Sequence, residues 1–233
     1  MGLNVAVFVP EGIVIASDSM AFVRSEDEGF ISSSERTFAC MNRFVVSFVG
    51  SGYVNDMPYG YVLNSFLANE VDKDISTFGF ADKLKDFVSQ FKTEEPLCIY
   101  VAGIEIIENK IVPFLYLIDK GQIVRLNAPI EQDSSQLFYN YHAIGQSLWI
   151  NKLFLPTKFD NSHKQTSENF AGANIDFRRF SIEQAKSFAL FLIETSANMQ
   201  KISQVSPTIN ETITLATILP FASPQITNKT DQL

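Results

Sequence analysis

The chain has 233 residues, 46% of them hydrophobic and 19% charged, with a formal net charge of −8. That length fits one large domain whose core needs no staples, the composition excludes a disordered chain, and the acidic balance argues against a nucleic-acid partner, which needs a basic face. The two cysteines, Cys40 and Cys98, sit inside apolar runs and read as buried free thiols rather than a disulfide framework, and neither they nor the separated His142 and His163 have metal-ligand spacing, so no metal or cofactor is expected.

The start, MGLNVAVFVPEGIVIASDSM, carries no basic region and is interrupted at Glu11, so a signal peptide is not expected. No apolar run reaches membrane-spanning length, and Ala6 stands where a myristoylation pattern needs Ser or Thr. These features predict a cytoplasmic protein without a membrane partner.

In chain order, LNVAVFVP and IVIAS read as a hairpin turning at Glu11-Gly12. The stretch RSEDEGFISSSER reads as a polar, acidic loop, followed by strands TFACM and RFVVSFVG turning at Asn42-Arg43. Residues 53–71 read as a helix with Pro58 near its first turns. In the next segment Phe80, Leu84, Phe87, Val88 and Phe91 share one face of a second helix. Strands return in LCIYVAGIEI, KIVPFLYLID, QIVRLN and FYNYHAIG, and SLWINKLFL is a short helix. Residues 156–176 read as a polar loop insertion. Ser181 with Gln184 forms a capping-box start to a helix that buries Ala185, Phe188, Ala189, Leu192 and Ile193. ETITLATILP is a last strand, and 223–233 reads as a flexible tail. Runs of strands alternating with paired helices predict an α+β fold of two packed sheets with helices outside them. Cover on both sheet faces accounts for strands that are nearly continuously apolar.

Several of these pieces, in this order, resemble the proteasome β-subunit family of N-terminal-nucleophile hydrolases, and its bacterial homologues in particular. They are GIVIASDS, NRFVVSFVGSGYVND, FYNYHAIGQS and SIEQAKSFALFLIETSA. The resemblance implies a four-layer αββα sandwich of two antiparallel sheets over residues 1–222. It also implies threonine-protease-like amide hydrolysis. In that family a threonine at the mature N-terminus attacks the amide, its own α-amine acts as base, a lysine and an aspartate hold them, and a turn N–H stabilises the oxyanion.

Carried over by position, the aspartate falls on Asp18. The nucleophile falls on Gly2, which removal of Met1 would expose but which has no side chain. The lysine falls near Thr37. The neighbouring Arg36 is expected on the opposite face of a strand. The oxyanion turn falls on Ser51 between Gly50 and Gly52. The supporting positions fall on Gln146, on about Ser203 and on Ser206. Asp18 alone is retained.

Asp18 therefore has two readings, a remnant of the machinery or a carboxylate capping a turn. Ser17, Ser19, Ser51 and Cys40 are candidate substitute nucleophiles, but none has a base at recognisable spacing. Glu26, Asp27 and Glu28 fit a solvated loop better than a cation site. Tyr53, Tyr59 and Tyr61 suit an interface or a core equally. The expectation is a non-catalytic subunit that assembles with copies of itself or with a related subunit. The alternatives are an active amide hydrolase with an unrecognised nucleophile and a peptide binder that uses the vestigial cleft.

Overall fold

The computed structural model describes residues 2–23, 30–33, 35–50, 52–55, 57–91, 97–128, 139–154, 175–203, 208–209 and 212–229. In chain order the elements are β1 (Leu3–Val9), β2 (Gly12–Asp18), β3 (Met20–Val23), β4 (Phe30–Ser33), β5 (Thr37–Cys40), β6 (Phe44–Val49), β7 (Tyr53–Val54) and β8 (Met57–Pro58), then helices α1 (Tyr59–Glu70) and α2 (Thr77–Ser89). There follow β9 (Cys98–Ile107), β10 (Lys110–Asp119), β11 (Gln122–Arg125), β12 (Asn140–Gly145), α3 (Leu148–Phe154), a 3₁₀ turn (Phe177–Arg179), α4 (Ile182–Ile202), β13 (Ile213–Ile218) and β14 (Gln225–Lys229).

The strands build two five-stranded antiparallel sheets, ordered β12-β1-β2-β13-β14 and β11-β10-β9-β6-β5. The three hairpins of the second sheet turn where two successive residues accept positive φ, at Met41-Asn42, Glu108-Asn109 and Lys120-Gly121, which matches the right-handed strand twist. The turn expected at Asn42-Arg43 thus lies one residue earlier.

Side-chain alternation sorts the core into three clusters. Ala6, Phe8, Ile13 and Ile15 of the first sheet meet Val45, Tyr100, Ala102 and Leu115 of the second. The opposite face of the first sheet, with Leu3, Val5, Val7, Val14 and Ala16, packs on Ala185, Ala189, Leu192 and Ile193 of α4 and Ile150 of α3. The opposite face of the second, with Phe44, Val46, Phe48, Ile99 and Val101, packs on Phe66 of α1 and Phe80 and Leu84 of α2. Every residue of β1 and β2 is therefore buried, as expected for strands covered on both faces.

Helix ends follow local chemistry. The Ser76 hydroxyl accepts from Gly79 N–H at 3.0 Å and starts α2. The Ser181–Gln184 capping box starts α4, and the Glu11 carboxylate accepts from Ile182 N–H at 2.8 Å, tying that end to the β1–β2 turn. The helix expected over 53–71 begins only at Tyr59. Pro58, lacking an N–H, stands at its N-cap, and the residues before it pair as β7 and β8.

Two polar stretches carry more structure than their composition suggests. The span expected to be an acidic loop holds β4, paired with β3. The stretch expected as a flexible tail supplies β14, whose backbone pairs with β13. Edge pairing needs backbone groups rather than apolar side chains, and Thr214 Oγ1–Asn228 and Lys229–Glu194 contacts add to it. The loop at 156–176 lies almost wholly outside the described residues.

Candidate functional site

The first sheet brings the two ends of the N-terminal motif together. β1 and β2 pair with Asn4 opposite Ser17, so Asp18 lies beside the start of β1. Asp18 is 1% exposed, and its Oδ1 accepts from Leu3 N–H at 2.8 Å. On the other side β12 pairs Gly145 with Leu3, and Gln146 N–H donates to the Gly2 carbonyl at 2.8 Å. Gly145 has φ +91°, and a Cβ there would stand 2.0 Å from the Gly2 carbonyl oxygen. Only glycine allows this close approach. Gly2 is thus buried and held between two strands.

The second sheet adds a cation. Arg36 is 1% exposed and precedes β5. Phe48 N–H donates to its carbonyl at 2.9 Å, and its Nη1 donates to the Gly50 carbonyl at 3.2 Å. A Cβ built on Gly2 would lie 2.7 Å from Arg36 Nη1 and 2.8 Å from Asp18 Oδ1. The guanidinium and the carboxylate therefore both border the space beside the Gly2 α-carbon, and together they fill the volume of a side chain at that position.

This corrects the expectation for the basic residue. Alternation along a strand would turn Arg36 away from the site, but β5 begins at Thr37, so the rule does not govern Arg36. Thr37 points between the sheets instead. Its Oγ1 lies 2.7 Å from Ser17 Oγ and 2.6 Å from Ser47 Oγ, and Asn4 Nδ2 donates to Ser47 Oγ at 2.7 Å and to the Phe48 carbonyl at 3.2 Å. All four side chains are buried, and Asn4 Oδ1 finds no partner among the described residues. Arg36 was legible in one respect: it is the lone basic residue between Arg24 and Arg43.

The other expected positions do not converge in this way. Ser51 and Ser206 lie outside the described residues, as do Glu26, Asp27 and Glu28. Gln146 joins the site through its backbone N–H. Ser203 caps the end of α4, with Oγ donating to the Met199 carbonyl at 2.6 Å. Ser19 N–H bonds the Thr212 carbonyl at 3.1 Å. Burial pushes the Cys40 thiol up to about 12, and burial, with Asp119 beside it, pushes Cys98 up to about 12, so neither is a thiolate at neutral pH. Tyr59 is fully buried, stacks on Phe48 and accepts from Gly52 N–H at 3.0 Å, whereas Tyr61 is 61% exposed. Among the described residues no cluster of His, Cys, Asp and Glu could hold a metal, and no helix is long and apolar enough to cross a membrane.

No protein-family model matches the chain. No curated protein matches it by sequence. Solved structures do match by shape. Anbu (ancestral beta-subunit) from Yersinia bercovieri aligns with a TM-score of 0.64 at 15% identity, covering 99% of this chain and 87% of that one. Anbu from Hyphomicrobium sp. strain MC1 aligns with a TM-score of 0.62 at 13% identity, covering 99% and 89%. The chain is therefore of the α+β class with a proteasome-like fold.

Proposed function

We propose that this chain is a non-catalytic, cytoplasmic member of the proteasome-like N-terminal-nucleophile hydrolases, with the four-layer αββα arrangement, and that it works as an assembling subunit. One observation carries the reading. The position that corresponds to the family's nucleophile is Gly2, and the space beside its α-carbon is taken by Asp18 and Arg36. A nucleophile must present a hydroxyl or thiol within reach of a base. Here the nearby hydroxyls of Ser17, Thr37 and Ser47 bond one another between the sheets. Arginine remains protonated and does not replace a lysine that exchanges protons.

A role in assembly draws support from Tyr61, exposed on α1 while its neighbour Tyr59 enters the core. Aromatic side chains are enriched at protein interfaces. Copies of this chain or a related subunit are the proposed partners.

The test is the intact mass of the purified protein before and after exposure to an electrophile selective for N-terminal nucleophiles. The expected result is an unchanged mass. One stoichiometric adduct would end the non-catalytic reading in favour of an active amide hydrolase, and mapping it would identify the nucleophile.

A further inference from the structure

We infer that Gly2 and Arg36 are a matched pair, in which the Arg36 guanidinium occupies the side-chain volume of residue 2 and clasps the ends of β1, β2 and β6 together. The pairing concerns the site already read as non-catalytic, and deepens that reading, but it stands on packing alone.

The geometry is as follows. The Cβ of any residue other than glycine at position 2 would lie 2.7 Å from Arg36 Nη1, 2.8 Å from its Cζ and 2.8 Å from Asp18 Oδ1. Such contacts are usually relieved cheaply when the obstructing atoms end a flexible side chain. Arg36 lacks that freedom. It is 1% exposed, its Nη1 holds the Gly50 carbonyl after β6, and its carbonyl is bonded to Phe48 N–H. Asp18 is equally enclosed and bonded to Leu3 N–H. Gly2 cannot retreat, because its carbonyl is bonded to Gln146 N–H and lies against Gly145. Each member is fixed from a different strand, so a larger residue 2 requires a smaller residue 36. Arg36 thus acts by filling space, and a single substitution at Gly2 cannot reopen the site.

A melting-temperature cycle tests the pairing with Gly2→Thr, Arg36→Lys and the double variant. Lysine keeps a positive charge facing Asp18 and vacates the guanidinium volume. Gly2→Thr is expected to lower Tm by about 2–12 °C, the usual consequence of overpacking a domain of this size. The double variant is expected to melt above Gly2→Thr alone, because the second change relieves the first. If the two losses add, the pairing is wrong. Should Gly2→Thr fail to fold, the same cycle on Gly2→Ala, whose added carbon is the one that meets Arg36, gives the decision. The two claims fail separately: an electrophile adduct on the natural protein would end the non-catalytic reading and leave the coupling intact, whereas additive losses would end the coupling and leave the non-catalytic reading in place.

Discussion

Between the two sheets, the middle and the Gly2 end are built from different materials. In the middle, Phe8, Ile13, Ile15, Val45, Leu115 and Ile218 pack together as an apolar core. Toward Gly2 the same strand faces change to Asn4, Ser17, Thr37 and Ser47, and just beyond them lie Asp18 and Arg36. Both ends are equally buried. Burial alone therefore does not mark the site; the switch from non-directional packing to directional hydrogen bonds does. Apolar packing tolerates repacking, whereas a buried polar layer holds only while each member keeps its partners.

Three measurements, in descending order of expected effect, test this contrast. Asp18→Ala removes the acceptor of Leu3 N–H and takes a buried carboxylate away from beside the Arg36 guanidinium. A loss of about 3–5 kcal/mol in urea unfolding is expected, as for other broken buried charge pairs. A loss no larger than that of an exposed aspartate would mean that the polar end is wet and the contrast false. Thr37→Val keeps shape but strips the central hydroxyl from between Ser17 and Ser47. About 1–3 kcal/mol should go with it, and a neutral or stabilising result would show that the polar layer behaves like the apolar one.

The smallest effect concerns a polar contact at the margin of the apolar middle, where Tyr100 Oη lies 2.7 Å from Nδ1 of the half-buried His142 and 3.0 Å from its carbonyl. Burial lowers the pKa of His142 below its ordinary value near 6.5. The folded state then binds fewer protons than the unfolded one as pH falls through that region. Its contribution to stability is full above about pH 6.5 and is lost as pH drops toward the lower folded value. Tm measured from pH 7.5 to 5 should fall more for the natural protein than for His142→Gln. Equal slopes would place this histidine in contact with solvent.

Much of this was legible in the chain because it depends on periodicity. Phe80 and Leu84 on one face of α2, the Ser181–Gln184 cap and the nearly continuously apolar β1 and β2 follow directly from spacing. Asp18 was legible too, as one carboxylate closing an apolar strand. Other features depend on where an element starts. Strand alternation puts Arg36 on the wrong face because β5 begins one residue after it. Thr37, expected near the basic position, proved to be a link in a hydroxyl chain, which requires knowing that it pairs with Ser47 across β6. β14 was hidden because a polar edge strand and a frayed tail have the same composition.

That last strand has a consequence for the behaviour of the molecule in concentrated solution. β13 reads ITLATI and is buried throughout, while β14, at the outer edge, reads QITNK and is largely exposed. Without β14, the open side of β13 would offer a row of amide and carbonyl groups flanked by apolar side chains, the template on which another molecule adds as a strand. A polar edge ending in Lys229 closes that template. Residues 225–229 thus guard against aggregation, and removing them would leave a self-adhesive sheet edge.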